Sequence, residues 1–161
     1  MGSRGADRRQ PRGRARSGFL ATLPPTAKIE AVHRSLEQAG ISHAFGGAIA
    51  LSFYAEPRET KDIDVNVFMP TQESELKLDW KGTPVHFFFS CDPLHEEMEK
   101  QIKKVPLGNG TIPLVAPEHL VIRKTLLGRP KDLRDIEAIA AAVDLDWEEI
   151  EGWVQRLADE S

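Results

Sequence analysis

The feature that most constrains this chain is the pair Gly46-Gly47, which follows a strand-like run from Ile41 to Phe45 and precedes a helical run from Ala48 to Ala55. A strand that ends in two glycines and enters a helix leaves bare backbone N–H groups at the positive end of that helix, where phosphate binds well. No third glycine follows at the spacing of a dinucleotide fingerprint, and no Gly-Lys-Ser/Thr sequence of a Walker A loop occurs. We therefore predict a phosphate-binding turn, with a plain turn as the alternative.

A second feature, Asp62-Ile63-Asp64, lies on the next predicted strand. Side chains alternate along a strand, so Asp62 and Asp64 project to one face while Ile63 projects to the other. Two adjacent carboxylates repel each other unless a cation lies between them, and oxygen ligands of this kind suit Mg²⁺. The pattern predicts a metal site, and two solvated aspartates at an exposed strand end are the alternative.

The remaining periodicity predicts an α+β domain with strands in the first two thirds and helices at the end. A hairpin is expected from Glu75 to Ser90 around a Lys81-Gly82 turn. The other predicted elements are a helix after Pro24-Pro25, a helix over His95–Lys104, a strand over Thr111–Val115, helices from Pro117 to Gly128 and from Pro130 to Ala142, and a last helix capped by Asp146.

Composition limits the class of protein. No apolar run is long enough for a membrane span, no secretory signal is recognisable, and Cys91 is the single cysteine, so we expect a cytoplasmic protein that does not bind membranes. Residues 1–17 carry six arginines against one aspartate. We expect residues 1–22 to form a disordered basic tail and residues 23–161 a single domain. The tail could bind an RNA backbone electrostatically. The alternatives are that it is a cloning remnant or that the start codon is assigned too far upstream.

Two segments in the right order carry a family resemblance. The run from Phe45 to Leu51, followed by Arg58-Glu59-Thr60-Lys61-Asp62-Ile63-Asp64-Val65, resembles the DNA polymerase β-type nucleotidyltransferase superfamily. The motif Arg-x-Thr-x-Asp-Ile-Asp within this run is similar to the corresponding motif in the minimal nucleotidyltransferases of the AbiEii-like toxin group. The downstream runs from Leu120 to Lys124 and from Arg129 to Ile136 resemble that group's C-terminal motif. The resemblance implies a nucleotidyltransferase fold, a small mixed β-sheet with helices packed against it and a helical C-terminal part.

The resemblance also implies an activity, the Mg²⁺-dependent transfer of a nucleoside monophosphate from a nucleoside triphosphate to an acceptor hydroxyl. The acceptor could be the 3′ end of a tRNA or a protein, and a cognate antitoxin or toxin could be a partner. The implied roles are triphosphate binding for Gly46, Gly47, Ser52 and Thr60, Mg²⁺ binding for Asp62 and Asp64, a phosphate contact for Lys124, and an orienting role for Asp132 or Asp135. The alternatives are a solvated helix face for Lys124 and an ordinary first-turn acidic residue for Asp132.

One position departs from the family pattern. In the run from Thr83 to Phe89, alternation turns Val85, Phe87 and Phe89 to one face and His86 to the other, so His86 occupies the position expected for a third carboxylate. Histidine prefers softer metals than Mg²⁺. Asp79 on the preceding strand could take the place of the third carboxylate. The alternative function is therefore a catalytically degenerate member that binds nucleotide or a partner protein.

Overall fold

The computed structural model describes residues 24–57 and 59–160. The predicted basic tail over residues 1–22 lies outside the described residues, and so does Arg58 of the Arg-x-Thr motif. In chain order the elements are α1 (Thr26–Gln38), β1 (His43–Phe45), α2 (Gly47–Tyr54), β2 (Ile63–Pro70), β3 (Glu75–Trp80), β4 (Thr83–Ser90), α3 (Pro93–Lys100), β5 (Lys103–Leu107), β6 (Gly110–Leu114), α4 (Pro117–Leu127), α5 (Pro130–Ala142) and α6 (Trp147–Asp159).

The strands form one mixed sheet in the order β3-β4-β2-β1-β6-β5. The pairs β2–β4 and β1–β6 are parallel, and the other neighbours are antiparallel. Because β1 and β2 run in opposite directions, with Phe45 opposite Val65, the end of β1 lies beside the start of β2. The Gly-Gly turn and the Asp-x-Asp strand are therefore neighbours in space.

Alternation along β2 divides the sheet into two faces. Ile63, Val65 and Val67 are buried in the core, whereas Asp64 and Asn66 are half-buried on the opposite face. Burial of such branched side chains contributes about 1.5–3 kcal/mol each, which fixes the strand register because a one-residue slip would bury the polar set instead. The polar face of β2 is the face on which the candidate site is built.

The helices at the C-terminal end follow their predicted boundaries. Helix α4 begins at Pro117 and ends before Gly128, whose φ of +63° places it in the left-handed region and whose N–H donates to the Lys124 carbonyl over 2.9 Å. Proline at a first helical position and glycine after the last are the usual signals for these ends. Since α5 packs against α4, side chains of the two helices meet.

The helix predicted over His95–Lys104 is wrong after Lys100. Helix α3 begins earlier, at Pro93, where the Asp92 carboxylate accepts the N–H of Leu94 over 3.1 Å, and it ends at Lys100. The chain then forms the unpredicted strand β5, which pairs antiparallel with β6. The two-residue turn between them contains Gly108 at φ +59°, so a tight hairpin with β6 takes Lys103 and Lys104, which helical periodicity had assigned to the helix.

None of the described helices combines the length and apolar character that crossing a membrane requires.

Candidate functional site

The Gly46-Gly47 turn joins the end of β1 to α2. The Gly46 N–H donates to the Asp64 carbonyl over 3.0 Å, which ties the turn to β2. Gly47 has a φ of +53°, a conformation that favours glycine, and no side chain of residues 24–57 or 59–160 caps the N-terminus of α2. The first N–H groups of a helix have no partner within the helix, so this terminus can accept an anion.

The Asp64 carboxylate lies directly against this terminus. A Cβ atom added at Gly47 would come within 2.0 Å of Asp64 Oδ2, and one added at Gly46 within 2.9 Å of Asn66 Nδ2. Gly47 is therefore required both by its backbone conformation and by the close approach of Asp64, whereas a side chain at Gly46 would displace the Asn66 amide. This requirement is consistent with a site in which backbone, carboxylate and ligand share a small volume.

The electrostatic setting of Asp64 is unusual for a carboxylate. Burial raises the pKa of Asp64, the Asp62 charge raises it further, and His86, Lys124 and Lys77 oppose the rise. Within residues 24–57 and 59–160, no donor makes a hydrogen bond to the Asp64 side chain. Because these residues donate no hydrogen bond to this half-buried carboxylate, a cation beside it would offset its charge.

Asp62 lies two residues earlier, near enough for its charge to act on Asp64. Its backbone N–H donates to Thr60 Oγ1 over 3.2 Å, so Thr60 shapes the entry into β2. Ser52 donates its hydroxyl to the Ile49 carbonyl over 2.6 Å within α2. The side chains of Ser52 and Thr60 are thus engaged in local structure, away from the cavity described below.

His86 lies beside Asp64 because the two residues are register partners in the parallel pair β2–β4. Its ring stacks on Phe88 with centroids 4.1 Å apart, and its Nε2 lies 3.3 Å from Glu75 Oε2 on β3. Sequence reasoning missed Glu75. Antiparallel alternation places Glu75 on the same face as His86, and that signal could have found it.

Asp79, considered above as a substitute carboxylate, has a different contact. Its Oδ2 accepts the Gly82 N–H over 3.3 Å in the β3–β4 turn, so it stabilises the hairpin and leaves Glu75 as the carboxylate beside His86.

Lys124 and its acidic partners form a buried network between α4 and α5. Lys124 Nζ donates to Asp135 Oδ2 over 2.8 Å and lies 3.9 Å from Asp132 Oδ1. Arg129 Nε donates to Asp132 Oδ2 over 2.6 Å, and its backbone N–H donates to the same atom over 3.1 Å. Burial alone would raise the pKa of Asp132, but these hydrogen bonds from Arg129, with the charges of Arg129 and Lys124, outweigh burial and lower it. The Lys124 ammonium is therefore held between the Asp135 and Asp132 side chains.

A second cluster, which the sequence did not assign, lies on α3 and α4. Arg123 makes two 2.8 Å hydrogen bonds to the Asp92 carboxylate and also contacts the His95 ring. Burial alone would raise the pKa of Asp92, but the hydrogen bonds from His95 and Arg123 hold it well below its usual range. The cluster adds a fixed guanidinium to the same side of the molecule as Lys124.

These groups surround one cavity of about 420 Å³. Of the residues predicted to form the site, the cavity wall includes five, namely Gly46, Gly47, Asp64, Lys124 and Asp132. The wall further includes Asn66, Glu75, Phe88, Arg123, Arg129 and Lys131. Asp62, His86 and Asp135 contact or influence wall residues from just outside it.

Among solved structures, this chain is similar to an antigenic nucleotidyltransferase-like protein from Paracoccidioides brasiliensis, with a TM-score of 0.52 and 14% sequence identity over 84% of this chain and 87% of that one. No protein-family model and no curated protein sequence matches the chain. The structural likeness confirms the predicted fold class, α+β with a small mixed sheet and a nucleotidyltransferase fold.

Proposed function

We propose that this chain is a Mg²⁺-dependent nucleotidyltransferase that moves a nucleoside monophosphate from a nucleoside triphosphate to an acceptor hydroxyl. The observation that carries the proposal is the Asp64 carboxylate, which has no hydrogen-bond donor in the described part of the chain and lies against the open N-terminus of α2. A cavity of about 420 Å³ with Lys124 and Arg129 in its wall offers room and positive charge for a triphosphate. The fold supports this class of substrate.

The donor set fits Mg²⁺. Asp62 and Asp64 provide hard oxygen ligands on one strand, and Mg²⁺ commonly takes one or two carboxylates and completes its shell with water and phosphate. The raised pKa of Asp64 has burial as its main cause and the Asp62 charge as a further one, so a cation beside both groups would remove the unfavourable interaction. When bound, Mg²⁺ would neutralise phosphate charge that opposes attack by the acceptor.

The triphosphate would be bound by the N-terminus of α2 and by the side chains of Lys124 and Arg129. The N–H groups at the start of α2, after Gly46, bind phosphate oxygens, with no side chain of the turn in the way. Lys124 supplies a point charge that Asp135 and Asp132 orient, and Arg129 adds a second cation at the same wall. The acceptor oxygen then bonds to the α-phosphorus while the bond to pyrophosphate breaks.

His86 is the proposed proton acceptor for that step. In the tautomer whose Nε2–H donates to Glu75, Nδ1 is unprotonated and can accept the proton of the attacking hydroxyl. This assignment makes the His86–Glu75 pair replace the third carboxylate of the family pattern. The proposed acceptor, by resemblance to the AbiEii-like group, is the 3′ end of a tRNA, with a cognate antitoxin as partner and the cytoplasm as location.

The second candidate is a degenerate nucleotide-binding or partner-binding module. It is favoured by one observation: the position beside Asp64 holds a histidine whose Nε2 is already engaged by Glu75. A module of this kind would bind a triphosphate but would not release pyrophosphate.

The test is incubation with each α-labelled nucleoside triphosphate, Mg²⁺ and total RNA or protein. We expect label on one acceptor class with wild type and none with the Asp62→Ala, Asp64→Ala double variant. An Asp79→Asn variant is the matched control, because Asp79 only caps a turn. Equal transfer by the double variant would refute the assignment of the site, and triphosphate binding without transfer by wild type would favour the module.

A further inference from the structure

We propose a second metal site, for Zn²⁺ or a similar borderline transition metal, built from His33, Glu37 and His43. One ligand atom from each of these three residues lies within 4.8 Å of the other two. His33 and Glu37 are four residues apart on α1 and so share one face of the helix, and His43 begins the neighbouring strand β1. Nothing in the proposed transferase function uses these residues.

The histidine pair has the geometry of ligands held in place. His43 is buried, with 3% of its surface exposed, and its Nδ1 lies 2.8 Å from the Ile41 carbonyl. That carbonyl can only accept, so Nδ1 carries the proton and Nε2 of the neutral ring has a free lone pair. A backbone carbonyl that fixes the ring in this way is the usual support of a metal-binding histidine.

The lone pair of His43 Nε2 accepts a hydrogen bond from His33 Nδ1–H over 2.8 Å. A metal between the two rings would replace this hydrogen bond, with the proton of the neutral His33 ring moved to its Nε2. Zinc–nitrogen distances of about 2.0–2.1 Å with tetrahedral angles separate two ligand nitrogens by about 3.3 Å, so a small rotation of the half-buried His33 ring admits the ion. The Glu37 carboxylate is exposed and flexible enough to close the third position. Two imidazoles and one carboxylate with an open fourth position suit zinc and do not suit Mg²⁺.

His33, Glu37 and His43 lie in the wall of a cavity of about 440 Å³, which solvent can use to reach a metal held there. This cavity shares no wall residue with the cavity at Asp64, and the two lie at opposite ends of β1, since His43 begins the strand and Gly46 follows it. A water or a small anion from solvent would complete the zinc shell. The zinc proposal can therefore be tested separately from the transferase proposal.

The other cluster of possible ligands, Cys91, Asp92 and His95, is a weaker candidate. The Asp92 carboxylate already accepts hydrogen bonds from Nη1 and Nη2 of Arg123, and the positive charge of that guanidinium repels a metal ion. Burial raises the pKa of the Cys91 thiol, and the Asp92 charge raises it further, which disfavours the thiolate that zinc requires. We therefore place the metal at His33, Glu37 and His43 alone.

The experiment is a titration of untagged, chelator-treated protein with Zn²⁺ against a chromophoric competitor, repeated in excess Mg²⁺. We expect one equivalent to bind, with affinity unchanged by Mg²⁺ and weakened at least about tenfold in both His33→Gln and Glu37→Gln. Glu99→Gln is the matched control, because Glu99 lines the same cavity outside the ligand cluster. Glu99→Gln and Cys91→Ser should both keep wild-type affinity.

Co²⁺ substitution gives a second readout that does not depend on affinity. The visible absorption of four-coordinate Co²⁺ should appear in wild type and disappear in the folded His33→Gln variant, whose fold is checked by circular dichroism. Absence of Zn²⁺ binding by wild type would overturn the proposal. So would Zn²⁺ affinity that is unchanged in a His33→Gln, Glu37→Gln double variant, or loss of binding in Cys91→Ser alone.

Discussion

Replacing Gly47 with alanine should separate the role of the turn in folding from its role in binding. Gly47 has a φ of +53°, and an alanine in the left-handed region costs about 1–2 kcal/mol. For a domain of this size that cost lowers Tm by about 2–8 °C. The added Cβ would also lie 2.0 Å from Asp64 Oδ2. Since carbon and oxygen rest near 3.5 Å, the carboxylate must move by on the order of 1 Å.

Such a displacement removes Asp64 from the position that the proposed metal and phosphates share. We therefore expect Gly47→Ala to weaken Mg²⁺-dependent triphosphate binding at least about tenfold, measured by calorimetry on protein shown to be folded. Gly40→Ala is the matched control, because Gly40 has a φ of +71° and open space around its Cβ position. It should lose similar stability and keep full binding. Wild-type binding by Gly47→Ala, or equal loss of binding in Gly40→Ala, would refute this reasoning.

Three further predictions concern the charges of the site. Lys124→Met should cost about 1.5–3 kcal/mol in urea unfolding, because it removes the buried 2.8 Å hydrogen bond to Asp135; unchanged stability would contradict that role. Asp64→Asn should stabilise the metal-free protein near neutral pH in thermal unfolding. The folded pKa of Asp64 lies above its unfolded value, so ionisation costs stability, and the gain should vanish as pH falls below 3.8. A lower Tm for the variant near neutral pH would contradict this. His86→Gln should reduce label transfer about 10²–10⁴-fold and leave triphosphate binding intact, and an unchanged rate would exclude His86 as the base.

The parts of the fold that the sequence predicted are those with local physical signals. Pro117 and Gly128 mark the ends of α4 through their own backbone preferences, and both ends are confirmed. Alternation placed His86 on the face of Asp64, and the structure pairs the two residues in register. These features depend on chain periodicity that is visible within a few residues.

The parts that sequence reasoning missed depend on which strands pair and in which register. Strand β5 exists because residues Lys103–Leu107 form hydrogen bonds with β6, although the helix predicted over His95–Lys104 extended into this segment. The contact of Glu75 with His86 follows from the β3–β4 register, which the turn geometry sets. Alternation within one strand gives the face of a side chain, and the partner on the next strand follows only once the hairpin register is applied, so His86 was placed on its face and Glu75 was left unassigned.

A crystal structure with Mn²⁺ and a non-hydrolysable triphosphate would test the proposed site most directly, because Mn²⁺ gives an anomalous signal and takes the same oxygen ligands as Mg²⁺. We expect one anomalous peak at the Asp62 and Asp64 carboxylates, with phosphate oxygens on the N–H groups that follow Gly46 and near Lys124. A triphosphate bound elsewhere, or one bound in this cavity with no metal at Asp64, would contradict the proposed function.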